Sequence, residues 1–207
     1  MTHDEATIKQ RALALASAAE ELAASAGPRR APFALAYFTD ASRDASPERV
    51  AKAMEPGGAV ILRDYRAPNR EALAKRLQTI CAARRLYFLV GDDIALARRI
   101  EADGVHFPSW ASQTNAPPGL ITSAACHSPR DMERAAARGI NCCFLSPVFR
   151  TESHVGVKTL GPGKFRRFAA EATTPVLALG GVDEKNALSL TGPNVAGFGA
   201  IGAFSKG

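Results

Sequence analysis

The chain lacks the cysteine spacing of a zinc site. Its four cysteines, Cys81, Cys126, Cys142 and Cys143, form no CxxC pair, which also argues against a disulfide framework. Cys142 and Cys143 are adjacent, so in a strand their side chains point to opposite faces. Reduced thiols packed in a core are the plain reading. No basic run is interleaved with aromatics, so a nucleic-acid groove is not indicated. The net charge of +6 comes largely from scattered pairs such as Arg29-Arg30, Arg84-Arg85, Arg98-Arg99 and Arg166-Arg167. Solvated helix faces and small anionic ligands fit that distribution. There is no basic-apolar-small leader pattern and no apolar run approaching about eighteen residues. The expectation is a cytoplasmic protein without membrane contact. No repeat, linker or low-complexity tract divides the 207 residues, a length that suits a single domain over 1–207.

The most informative stretch present is Ala178-Leu-Gly-Gly-Val182, followed by Gly197-Phe-Gly-Ala-Ile-Gly202. Each is apolar and ends in glycine, as a buried parallel strand opening into a tight loop would. Glycine lets backbone N–H groups approach phosphate oxygens. In a (β/α)8 barrel the loops after strands seven and eight commonly hold phosphate. A tight strand-to-helix turn is the plainer alternative for Gly180 and Gly181.

Eight apolar runs occupy residues 33–38, 59–62, 86–90, 104–107, 120–123, 142–145, 176–179 and 196–201. Segments of helical spacing, such as 70–83, 129–138 and 163–172, separate most of them. Strand-helix alternation argues for parallel pairing, and eight units argue for a closed α/β barrel over 33–204. The connection 108–119 holds three prolines, so a full helix is not expected there. Few residues follow the eighth run, which predicts a truncated or absent last helix. Residues 4–26 read as an added N-terminal helix, stopped by Gly27-Pro28. Its stripe of Ile8, Leu13, Leu15 and Leu22 is expected to cover the seam between strands eight and one. The alternatives are closure of the N-terminal barrel mouth, or a homo-oligomer in which a partner subunit covers the seam.

Ala102-Asp-Gly-Val-His106, Ser146-Pro-Val-Phe149 with Thr151, Leu177-Ala-Leu-Gly-Gly-Val182 and the 197–202 ending carry a family likeness. In that order they resemble thiamine phosphate synthase and its relative, the thiazole tautomerase, over about residues 37–204. The resemblance implies a TIM barrel in thiamine biosynthesis. Such a synthase joins a hydroxymethylpyrimidine diphosphate to a thiazole phosphate, with magnesium and protein cations on the departing diphosphate. It implies a phosphate cradle made by Thr151, Ser153, Gly181, Ile201 and Gly202. Ser153 stands for the family's second threonine. Ile201 and Gly202 stand for a Val-Ser pair.

The diphosphate side departs from the family. Gln-x-Arg-x-Lys reads Ile61-Leu-Arg63-Asp-Tyr65 here, which keeps the arginine and replaces the lysine with Tyr65. Asn-Asp reads Gly91-Asp92, leaving Asp92 as a magnesium ligand. The second metal aspartate falls at Ala111, the loop lysine at His154 and a serine at Ala125. The tautomerase histidine falls at Pro147.

Arg63 and His154 are the candidate catalytic cations. Arg63 contacts ligand or pairs with Asp64 or Asp92. Asp92-Asp93 binds metal or caps the next helix. His154 offers a switchable charge near phosphate or is an ordinary loop residue. His106 reads as a barrel-interior histidine, and His127 as part of a helix start. The leading function is a synthase-like transferase on a phosphorylated small molecule. The alternatives are a metal-independent isomerase or salvage enzyme on a thiazole-type phosphate, and a non-catalytic phosphometabolite binder.

Overall fold

In a computed structural model, residues 3–41, 46–111, 115–150 and 158–204 are described. The apolar runs become β1 (Leu35–Phe38), β2 (Ala59–Leu62), β3 (Tyr87–Gly91) and β4 (Gly104–Phe107). They continue as β5 (Ile121–Cys126), β6 (Cys142–Leu145), β7 (Val176–Ala178) and β8 (Val195–Ala200). All neighbours pair in parallel, and β1 closes on β8 with Leu35 opposite Phe198, giving a closed eight-stranded barrel.

Alternation along each strand builds two apolar layers. Ala59 and Ile61 of β2, and Cys142 and Phe144 of β6, fill the barrel interior with Phe33, Phe38 and Leu177. Their neighbours Val60, Leu62, Cys143 and Leu145 face the surrounding helices. Both adjacent cysteines are thus buried, on opposite faces, and all four cysteines are free thiols. Burial pushes the Cys142 thiol well up, as expected for packing residues.

The outer layer contains α1 (His3–Ala24), α2 (Pro47–Ala53), α3 (Arg70–Arg84), α4 (Ile94–Arg99), α5 (Pro129–Ala137) and α6 (Gly161–Glu171). After β4 there is only a 3-10 turn, Ser109–Ala111, in agreement with the proline-rich connection. Another 3-10 turn, Ala187–Leu190, follows β7. Ser128 caps α5, accepting from the Asp131 N–H, while the His127 N–H donates to the Asp131 carboxylate at 2.9 Å.

The N-terminal helix lies against β8, β1, α2 and the turn after β7, over the seam between the last and first strands. Its buried face is Ala12, Leu15, Ala19 and Leu22, the three-and-four spacing of one helical stripe. Leu13 is not part of it and is 56% exposed. A step of about 100° per residue places it roughly opposite Leu15, so alanine rather than leucine completes the stripe. The helix stops where Gly27 takes φ +84°.

A buried asparagine ties this end to the barrel. Asn194, with φ +63°, donates through its side-chain amide to the carbonyls of Ala169, Ala172 and Thr174, each at 3.0 Å. Its own N–H donates to Ala26 O at 2.8 Å. Gly197 serves the same region. A Cβ there would lie 2.0 Å from Ala34 O, because the chain ahead of β1 crosses β8 closely, with Phe198 N–H donating to that carbonyl. Gly197 is therefore a packing glycine inside the strand, and only Gly202 stands at its loop end.

Candidate active site

In a parallel barrel, side chains for chemistry project from the loops at the C-terminal strand ends. Two halves of this rim differ in character.

After β7, Gly180 and Gly181 take φ +91° and +68°, a region open to glycine. A Cβ on Gly181 would lie 2.4 Å from Arg150 O. The pair is therefore pressed on the loop after β6, where Phe149 N–H donates to Gly180 O at 2.9 Å and Val148 N–H to Leu179 O at 3.0 Å. The Asn186 side-chain amide holds Gly181 O at 2.9 Å. The turn role is thus real, but it engages carbonyls. Among the described residues no hydrogen-bond acceptor is recorded for the N–H groups of Gly181, Val182, Ile201 or Gly202. Ile201 and Gly202 follow β8 directly, and Gly202 begins a 3-10 turn, Gly202–Phe204. Donors left open at two neighbouring strand ends are what an anion needs. Thr151, Ser153 and His154 lie outside the described residues.

The half after β1 to β4 is occupied by internal pairs. Arg63 follows β2 and meets the Asp40 carboxylate at 2.5 Å, with its backbone N–H on Thr39 Oγ1 at 3.0 Å. The arginine thus pairs with neither Asp64 nor Asp92. Asp64 accepts instead from the Ala41 N–H at 2.9 Å. Asp93 is the cap of α4, accepting from Leu96 N–H at 2.8 Å, and it also meets Arg70 at 3.3 Å. Asp92 turns the other way. Its φ is +53°, and its carboxylate accepts the Trp110 indole N–H at 3.2 Å. Asp40 and Trp110 are the rim residues the sequence reading missed. Each follows an apolar run within a few residues, and that position was the available signal.

Tyr65, at the position where the resemblance implies a lysine, packs edge-on to Trp110 with ring centroids 5.2 Å apart. Burial pushes its phenol up to about 12; Arg63 opposes the shift and Asp92 adds to it. Tyr65 is therefore a neutral phenol at ordinary pH. The described residues do not fit a protein-built magnesium site. Asp92 is a single carboxylate already taking an indole donor, Ala111 supplies no oxygen, and no group of three metal-type side chains forms among the described residues.

His106, next to the last residue of β4, lies inside the barrel, with Nδ1 2.9 Å from Ser123 Oγ and its ring edge-on to Phe38 and Phe144. Burial, helped by Arg63, lowers its pKa to about 3. Unfolded histidine titrates near about 6.5. Its contribution is therefore full above about 6.5 and is lost as pH falls from there toward 3, at about 1.4 kcal/mol per pH unit. Urea unfolding measured on either side of that upper limit should show wild type losing stability in acid more steeply than His106→Gln. Equal slopes would contradict a buried neutral imidazole.

The chain matches the family model described as thiamine monophosphate synthase over residues 35–204. It is 32% identical over 182 residues to a thiamine-phosphate synthase of Chlorobium luteolum, covering 83% of this chain and 85% of that one. It is 29% identical over 186 residues to a thiamine-phosphate synthase of Bacillus velezensis, covering 82% and 83%. A solved thiamine phosphate pyrophosphorylase from Pyrococcus furiosus superposes with a TM-score of 0.65 at 26% identity, covering 81% of this chain and 84% of that one. With this barrel, these strand-end loops and a match spanning most of its length, the chain belongs to the thiamine monophosphate synthase family.

Proposed function

We propose that the protein is a synthase-type transferase that joins a hydroxymethylpyrimidine diphosphate to a thiazole phosphate, with a weakened diphosphate side. The observation that carries this reading is the set of open backbone donors at Gly181, Val182, Ile201 and Gly202. They would hold the thiazole phosphate, with hydroxyls of Thr151 and Ser153 added, and so fix the thiazole nitrogen at the mouth. The bond from the pyrimidine methylene to the diphosphate oxygen breaks, and one to the thiazole nitrogen forms. Arg63 and His154 are the cations assigned to the leaving group. Arg63 shares its charge with Asp40, so its help is reduced. No step is assigned to a metal.

Each missing donor to developing charge costs about 3–4 kcal/mol in rate. Slow turnover is therefore expected when both substrates are supplied and thiamine phosphate formation is followed with and without magnesium. Ala111→Asp with His154→Lys should raise that rate by at least about tenfold, if half of one such donor is recovered. Turnover equal to an ordinary family member in the unaltered protein would contradict the weakened site. A second reading, a metal-independent enzyme or binder of a thiazole-type phosphate, draws on the Arg63–Asp40 and Trp110–Asp92 pairs. Thiazole phosphate binding without product in any variant would favour it.

A further inference from the structure

His127 takes part in the start of α5 through its backbone alone. Its N–H donates to the Asp131 carboxylate, which also accepts from the Ser128 hydroxyl at 2.8 Å and from Arg134. The imidazole, on an exposed residue, meets the next strand end instead. Its Nδ1 lies 2.9 Å from the Ser146 carbonyl oxygen, just past β6, and 3.4 Å from the Ser146 hydroxyl. A carbonyl oxygen can only accept, so Nδ1 carries the proton and Nε2 the lone pair.

Ser146 is thereby gripped at both backbone groups, since its N–H donates to Cys126 O at 3.0 Å. The residues that follow are fastened to β7 on the other side. Val148 N–H donates to Leu179 O, and Phe149 N–H to Gly180 O. Pro147 O and Val148 O accept from Leu160 N–H at 3.0 Å and Gly161 N–H at 2.9 Å, which closes the base of the loop. The fit against the glycines leaves no slack. A Cβ on Gly180 would lie 2.9 Å from Pro147 Cα, and one on Gly181 2.4 Å from Arg150 O. Displacement of 146–150 is therefore passed on to Gly181, whose N–H is one of the open donors. Of these ties, the one made by a side chain belongs to His127.

We propose that His127 is a positioning residue for the phosphate site at the ends of β7 and β8. Its Nδ1–H fixes the Ser146 carbonyl, and through residues 146–150 it sets the aim of the Gly181 N–H without itself touching phosphate. This role rests on phosphate being held at that cradle.

The probe is thiazole phosphate without magnesium, titrated by calorimetry into wild type and three variants, with amide exchange followed by NMR on the unliganded proteins. His127→Ala removes the tie but keeps the backbone N–H on Asp131, so the fold and the urea midpoint should hold. Exchange should quicken at Val148 and Phe149 and stay unchanged in β1 to β4. Thiazole phosphate should bind about fivefold more weakly, the worth of one ordinary hydrogen bond. His127→Asn puts an amide donor where Nδ1 stands and should restore both. His127→Gln, whose amide reaches the place of Nε2, should restore neither. Restoration by glutamine and not by asparagine would overturn the proposal, because the ring would then act through Nε2. So would unchanged exchange in His127→Ala, or exchange quickened throughout the barrel. A wild type that binds no thiazole phosphate would remove the phosphate site itself, and the role of His127 with it. Binding by wild type with no loss in His127→Ala would remove the role alone.

Discussion

Deleting residues 1–27 is expected to leave a barrel that does not stay soluble. The seam between β8 and β1 is a full parallel pairing, yet the only element after β8 among the described residues is a short 3-10 turn. The covering is done by α1, whose Ala12, Leu15, Ala19 and Leu22 are fully buried. Burying each leucine is worth about 1.5–3 kcal/mol, and truncating one to alanine costs about 2–5 kcal/mol with the cavity included. Net stability is only about 5–15 kcal/mol, so losing the whole face removes much of it and exposes apolar wall. Leu15→Ala and Leu22→Ala should each lower the urea midpoint markedly. Leu13→Ala should change stability by no more than about 0.5 kcal/mol. A soluble truncated protein with an unchanged melting temperature would show that α1 is not the cover.

Asn194→Ala should be the most damaging single substitution to a polar side chain. It strips a donor from the carbonyls of Ala169, Ala172 and Thr174 at the end of α6 and the start of β7; Ala169 O keeps the Ala172 N–H and Ala172 O keeps Arg29, so Thr174 O is the one left without a recorded donor among the described residues. Each unsatisfied buried group costs about 1–3 kcal/mol. It also places alanine at φ +63°, a further cost of about 1–2 kcal/mol. Asn194→Gly loses the same hydrogen bonds but accepts the backbone, so it should be less destabilised by about 1 kcal/mol. Equal urea midpoints for the alanine and glycine variants would remove the backbone part of this argument. A variant as stable as wild type would remove all of it.

Much of the barrel was legible because purely apolar runs have few other destinations. The runs at 59–62, 104–107 and 142–145 coincide with β2, β4 and β6. What the pattern could not show is register. Val176 lies opposite Val195, but Leu177 lies opposite Gly197, an irregularity at the glycine that passes close to Ala34. On α1, counting leucines put Leu13 on the wrong face, because the stripe is completed by alanines that suit either side.

At the site, sequence position placed Arg63, Asp92, Gly181 and Gly202 at strand ends, as found. Partners were hidden because they come from other strands. Asp40 reaches Arg63 from the end of β1, and Trp110 reaches Asp92 from beyond β4. The division of labour between Asp92 and Asp93 was equally hidden. It turns on the left-handed backbone of Asp92, which leaves Asp93 to cap α4.

The phosphate cradle is best tested by following the backbone amides of Gly181, Val182, Ile201 and Gly202 by NMR as thiazole phosphate is added without magnesium. The expected result is a saturable shift of those amides, reversed by competition with inorganic phosphate, with little change at Arg63 and Asp92. Amides at 181–182 and 201–202 that do not move, or shifts confined to the Arg63–Asp92 side of the rim, would contradict a phosphate site at the ends of β7 and β8.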